Sequence, residues 1–355
     1  MTDPRIKRVA EILVNYSLRI KKGEYVGISA QTSAAPLIKE LYEIILKKGA
    51  YPVGDFTIPG LAYTYFKNAS DEQLSKTPEI SKYAAEKCHA SISIGADANT
   101  KELSTINPDR ISIRSKAIKP IKDIILKKDR WVLFKYPTDA LAQDAEMSLQ
   151  EFEDFVYTAC IKDWEKETKK LLPLKQAMDR GSTVRIKGED TDISFSIKAR
   201  TAVIGDGKHN IPDGEVFTAP VEKTVNGRIK FTFPAIRDSR EVSGVYLEFR
   251  NGKVTKAKAD KNESYLKSMI KMDKGSQYLG ELGIGTNYNI KKFIKQILFD
   301  EKIGGTIHLA LGKAYKECGG TNESALHWDI IKDLRQGGEL YIDNKLIQKN
   351  GKFLI

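Results

Sequence analysis

The chain has 355 residues, of which 41% are hydrophobic and 30% charged, and a formal net charge of +11. That length exceeds the usual size of one compact core and predicts two domains, while no apolar run approaches the length of a membrane span. Three scattered cysteines (Cys88, Cys160, Cys318) argue against both a disulfide framework and a thiolate metal site.

The positive charge is spread along the chain in short clusters such as Lys127-Lys128, Lys169-Lys170 and Lys291-Lys292, often beside acidic residues. Aromatic residues do not interleave with these clusters as they do where bases stack. A solvated lysine-rich surface is therefore expected, with no nucleic-acid and no membrane partner. Residues 1–22 place Ile6, Val9, Ala10, Leu13, Val14 and Leu18 on one helical face. They lack the apolar core and cleavage site of a signal peptide, so the expected compartment is the cytoplasm.

The first half alternates strand and helix. Tyr25–Ser29 reads as a strand, and 35–48 as a helix with Leu37, Leu41, Ile44 and Leu46 inward. Residues 51–58 are a second strand, and Ala90–Ile94 and Trp131–Phe134 two more. Strands separated by helices predict a parallel α/β sheet. Neither a G-x-G-x-x-G nor a P-loop string is present, so the domain is Rossmann-like in layout without a nucleotide fingerprint. A charged helix over 148–180 is expected to join the halves. After Gly181 the texture changes to short alternating strands: 183–186, 193–197, 229–233 and 245–249. Asn251-Gly252 marks a hairpin turn. Helices are expected over about 261–272 and 290–299. The predicted organisation is an α/β domain over 1–165, then an α+β domain over 166–355 with a largely antiparallel sheet.

The candidate chemistry lies in the second domain. Only four histidines occur, and two of them, His308 and His327, fall within twenty positions of each other. His327-Trp328-Asp329 on a strand puts imidazole and carboxylate on one face and the indole on the other, a two-donor arrangement if other ligands converge. Three more carboxylates stand in unusual settings. Glu215 opens an apolar strand after Pro212-Asp213-Gly214, Glu281 lies between glycines in an apolar run, and Glu301 precedes His308 by seven residues. An unpaired carboxylate buried in such a run would be costly. Each residue alone also has a structural reading, as a cap, an ion-pair partner or a hydrogen-bonded core histidine. Carboxylates and imidazoles without thiolates suit Zn, Co or Mn.

Four ordered strings, Pro-Asp-Gly-Glu-Val-Phe-Thr-Ala-Pro (212–220), Leu-Gly-Glu-Leu-Gly-Ile-Gly-Thr-Asn (279–287), Gly-Thr-Ile-His-Leu-Ala-Leu-Gly (305–312) and His-Trp-Asp (327–329), resemble those of the M29 metallopeptidases, the thermophilic aminopeptidase family. Thr191-Asp192-Ile193 adds to the match, which spans most of 180–335. The resemblance implies that Glu215, Glu281, His308, His327 and Asp329 bind two divalent metal ions, with Glu281 bridging. It implies that Glu301 is a ligand or catalytic base and that Tyr315 lies near the reacting centre. It further implies a homodimeric aminopeptidase acting on short peptides. The stretch from His308 to His327 is shorter here than in some members. Two other readings stand beside this one: a dinuclear metal amidohydrolase acting on non-peptide amides, and a basic binding protein whose histidines are structural.

Overall fold

The structure is a computed structural model and describes residues 3–238 and 240–355. The chain forms two compact units. One runs to Lys162 and takes in Gly207–Pro212; the other comprises Asp163–Asp206 and Asp213–Ile355. The return of 207–212 to the first unit is a feature that a single division at residue 165 does not include.

The first unit is built on a five-stranded parallel sheet. Its order is Tyr51–Thr57, Tyr25–Gln31, Ala90–Gly95, Trp131–Lys135, Asn210–Ile211. Helices connect the first four strands, as parallel pairing requires, and the order of those four is that of a doubly wound sheet. The N-terminal segment is helical over Pro4–Glu11 and π-helical over Ile12–Ser17. Its six expected inward residues, Ile6, Val9, Ala10, Leu13, Val14 and Leu18, are all buried. In the helix Ala35–Lys47 the buried stripe is Leu37, Leu41 and Ile45. Leu46, expected inward, is 57% exposed; steps of four from Leu37 lead to Ile45, and the next residue turns away by about 100°.

The second unit contains an eight-stranded antiparallel sheet and a five-stranded antiparallel sheet. The first has the order 253–258, 246–250, 226–230, 191–196, 183–188, 339–342, 345–349, 352–353. The second runs 327–333, 306–312, 279–285, 215–218, 203–205. Both contribute to one apolar core. Val184, Ile186, Ile193 and Phe195 come from the larger sheet, and Leu282, Ile284, Leu309, Trp328 and Ile330 from the smaller. The Asn251-Gly252 turn joins Tyr246–Arg250 to Lys253–Lys258, with φ of 49° and 86° at its two residues, as a two-residue hairpin requires.

Three sequence expectations need correction. The helix expected over 148–180 is two helices, Leu149–Cys160 and Trp164–Arg180. Ile161 leaves helical geometry, and Asp163 caps the second helix by accepting from the Lys166 N–H. The helix expected over 290–299 is reduced to Ile297–Asp300, because Lys295 takes a left-handed φ of 62° that no right-handed helix continues. The strand expected over 229–233 is Asn226–Lys230; beyond it the N–H groups of Thr232 and Phe233 both donate to the Ile331 carbonyl instead of continuing the ladder.

Candidate metal centre

The five-stranded sheet presents two faces with different chemistry. Leu282, Ile284, Ile307, Leu309, Leu311, Trp328 and Ile330 point into the core. Alternation then sends Gly283, His308, Ala310, His327 and Asp329 to the opposite face. Cross-strand register aligns them: Gly283 with His308, Ala310 with Asp329, Gly312 with His327, and Gly285 with Glu215. Glu281 joins that face through a bulge. Leu279 pairs with Leu311, but Glu281 pairs with Ala310, so two residues advance on one strand for one on its neighbour. Paired without a bulge, Glu281 would stand two residues from Leu279 and share its core-facing side. Bulges commonly re-aim a side chain beside a functional site in this way.

Small residues open the space these side chains fill. A Cβ on Gly283 would lie 2.0 Å from both Cε1 and Nε2 of His308. Gly283→Ala is therefore expected to force the imidazole aside and destabilise the metal-free protein by about 1–3 kcal/mol, the usual cost of overpacking. Urea unfolding checks this, and an unchanged midpoint would contradict it.

Both imidazoles are tethered at one nitrogen. His308 Nδ1 lies 3.1 Å from the Glu301 carbonyl oxygen, and His327 Nδ1 lies 2.8 Å from that of Lys313. A carbonyl only accepts, so each Nδ1 carries a proton and donates. That leaves each Nε2 aimed inward. His308 Nε2 is 3.4 Å from Glu281 Oε1 and 3.5 Å from Glu215 Oε2. His327 Nε2 is 3.2 Å from Glu281 Oε2 and 3.5 Å from Asp329 Oδ2. Glu281 thus offers one oxygen to each histidine. Donor atoms of Glu215, Glu281 and His308 lie within 4.8 Å of one another, as do those of Glu281, His327 and Asp329, and those of Glu301, His308 and Asp329.

Burial sets the electrostatics. Glu215, Glu281 and His308 are almost wholly buried. Burial pushes the Glu215 pKa up, only partly offset by Lys302, and the nearby Glu301 charge adds to the rise. Burial also resists ionisation of Glu281, yet hydrogen bonds from His308 and His327 hold it below the usual carboxylate range. Asp329 is raised by burial, against the pull of His327. For His308, burial alone would lower the pKa, but the bond to Glu281 and the charge of Glu215 raise it to about 10. His327 likewise reaches about 10, against burial, through Asp329 and Glu281.

The residues fit a metal. Glu215 Oε2 and Asp329 Oδ1 are buried without a hydrogen-bond partner, a costly state for a carboxylate oxygen unless a cation faces it. The donor set is oxygen and imidazole nitrogen, the set that Zn, Co and Mn accept.

The remaining expected residues border this cluster. Glu301 follows the short helix Ile297–Asp300, which Asp300 steadies by accepting from the Ile294 N–H at 2.8 Å. Tyr315 is 39% exposed, its ring 5.1 Å from that of His327 and 5.5 Å from that of Phe217. Burial and the charges of Glu281 and Asp329 raise the Tyr315 pKa, which keeps the phenol protonated. Thr191 and Asp192 lie in the larger sheet, where Asp192 pairs with Arg185. Sequence reasoning missed Lys302. Its side chain is fully buried, with Nζ 3.0 Å from Glu215 Oε1, hydrogen-bonded to Glu301 Oε1, and 4.0 Å from Asp213 Oδ1. Asp300, Glu301 and Lys302 are three consecutive charged residues, a pattern that reads as a solvated turn and gave no local signal.

Known proteins resemble this chain along its length. The family described as "Thermophilic metalloprotease (M29)" matches residues 2–353. Aminopeptidase 2 of Geobacillus stearothermophilus is 26% identical, covering 99% of this chain and 95% of its own. Aminopeptidase T of Thermus thermophilus is 24% identical over 99% and 98%. The solved structure of wild-type AmpT from Thermus thermophilus superimposes with a TM-score of 0.87 at 22% identity, covering 99% of each chain. A 2,5-dihydroxypyridine dioxygenase from Pseudomonas putida KT2440 shares the fold at a TM-score of 0.66 and 13% identity, over 98% of this chain and 96% of its own.

Proposed function

Because this chain belongs to the M29 family of thermophilic metalloproteases and is therefore a peptide hydrolase, we propose that it is a two-metal aminopeptidase. One ion would be held by Glu215, Glu281 and His308, the other by Glu281, His327 and Asp329, with Zn, Co or Mn as the metal. The observation that carries this reading is that two three-donor groups share Glu281, one oxygen toward each imidazole. Charge supports it too. Asp213, Glu215, Glu281, Glu301 and Asp329 against Lys302 leave four negative charges when all are ionised, the number that two divalent ions cancel.

When bound, such ions acidify a water, polarise the scissile carbonyl and can take the substrate's free α-amine. Glu301 accepts the proton of the attacking water and delivers it to the leaving amine. Tyr315, protonated, donates to the oxyanion of the tetrahedral intermediate. The Nδ1 tethers hold both imidazoles in one tautomer and orientation, the usual support of a ligating histidine. The same reading keeps short peptides as substrates, a homodimer as the assembly and the cytoplasm as the compartment.

The test is hydrolysis of a panel of aminoacyl-arylamides by metal-free protein supplied with Zn, Co or Mn, together with elemental analysis. Metal-dependent release and close to two ions per chain are expected. No metal-dependent cleavage of any aminoacyl-arylamide would overturn the proposal, and cleavage confined to amides without a free α-amine would favour a non-peptide amidohydrolase. The shared fold of the dioxygenase shows why the donor set, not the fold, carries the argument.

A pH dependence follows. His308 and His327 have folded-state pKa values of about 10, above the ordinary 6.5. Their contribution to stability in metal-free protein is fully present below pH 6.5 and is lost as pH rises toward 10. Thermal unfolding of metal-free protein is expected to shift to lower temperature between pH 7 and 9.5. Metal uptake at pH 7 should release protons from both imidazoles, measurable by calorimetry in buffers of different ionisation enthalpy. Uptake without proton release would contradict the assignment.

A further inference from the structure

Lys302 is a fully buried ammonium group in direct contact with two of the carboxylates described above. Lysine is seldom buried completely unless it is paired. Here one Nζ serves Glu215 Oε1 and Glu301 Oε1 together, with Asp213 Oδ1 at 4.0 Å. The consequence for Glu215 is specific. Its Oε1 is taken by the lysine at 3.0 Å, whereas its Oε2 is the buried oxygen without a hydrogen-bond partner, 3.5 Å from His308 Nε2. The two oxygens of one carboxylate are thereby given different tasks.

Glu301 is divided in a similar way. Its backbone carbonyl accepts from His308 Nδ1, and its carboxylate is held through Oε1 by the lysine that follows it. The turn carrying Glu301 and Lys302 therefore orients His308 from behind and Glu215 from the side.

We propose that Lys302 is a positioning residue: a permanent cation that clamps Glu215 and Glu301 side by side and restricts Glu215 to single-oxygen metal ligation through Oε2. This rests on the two-metal reading. Two carboxylates converging in a buried site repel each other, and a single cation hydrogen-bonded to both offsets that repulsion and fixes their places. A ligand restrained by such an outer partner typically binds its metal 10–100-fold more tightly than an unrestrained one.

Titration of metal-free protein with Co(II), followed by visible absorption and elemental analysis, tests the inference. Wild type is expected to take two ions; fewer than two would count against the two-metal reading itself, independently of Lys302. K302M is expected to keep the ion held by Glu281, His327 and Asp329. It should bind the ion at Glu215, Glu281 and His308 about 10–100-fold more weakly, with a changed Co(II) absorption band from that ion. K302R, which retains charge and donors, should recover most of the lost affinity. If K302M does not fold, K302Q, shorter and uncharged, takes its place with the same expected loss. Two ions bound by K302M or K302Q with wild-type affinity and spectrum would overturn the proposal, as would a K302R variant as weak as K302M.

Discussion

Glu281→Ala is expected to lower kcat/KM on an aminoacyl-arylamide by about 10⁴-fold or more, because it removes a group on which a whole catalytic unit depends. Glu281 is the member common to two donor groups and gives an oxygen to each histidine. Its loss leaves His308 and His327 without one of the buried carboxylates that raise their pKa values, Glu215 remaining beside His308 and Asp329 beside His327. Both ions should bind weakly or not at all, so elemental analysis should fall well below two per chain. The strand itself should survive, because Leu279, Leu282 and Ile284 still anchor it in the core; circular dichroism checks this. Activity within tenfold of wild type with two ions retained would rule out the shared-ligand role.

Glu301→Gln is expected to reduce kcat by about 10²–10⁴-fold, the usual worth of a general base, with little change in KM. Glutamine has the same shape and can still accept from Lys302, and the Glu301 carbonyl that receives the His308 proton belongs to the backbone. Only the capacity to take a proton is lost. Metal content should therefore stay at two ions. A fall in metal content with the loss of activity would instead make Glu301 a ligand, which its place within 4.8 Å of His308 and Asp329 donor atoms also permits.

The site was legible in the sequence to the extent that local patterning carried it. His327-Trp328-Asp329 needed only strand alternation, and Trp328 indeed faces the core while its neighbours face the cluster. Glu215 was marked by the Pro-Asp-Gly turn before it, and Glu281 by an apolar run that could not hide a lone charge. What local patterning does not carry is register. Nothing within residues 279–285 shows that a bulge turns Glu281 to the face of His308, since the bulge is defined by the neighbouring strand. Lys302 escaped for a related reason. Lysines are read as surface residues, and its burial depends on Glu215, eighty-seven positions away. The helix expected over 290–299 failed because apolar spacing at Ile290, Phe293, Ile294 and Ile297 fits a helix, whereas the left-handed turn at Lys295 forbids one.

Strand pairing separates stretches of this chain that can change length from those that cannot. A one-residue slip in the strand bearing Glu281 would swing that carboxylate into the apolar interior, and the same slip in the strands bearing His308 or Asp329 would do so to them. The connection from Lys313 to Leu326 is different, because it joins neighbouring antiparallel strands whose pairing, Gly312 with His327, is fixed inside its ends. Residues gained or lost in its middle leave every donor atom where it was. A change of length between Lys313 and Leu326 can thus reshape the surface around Tyr315, while the paired strands stay intolerant of a one-residue slip.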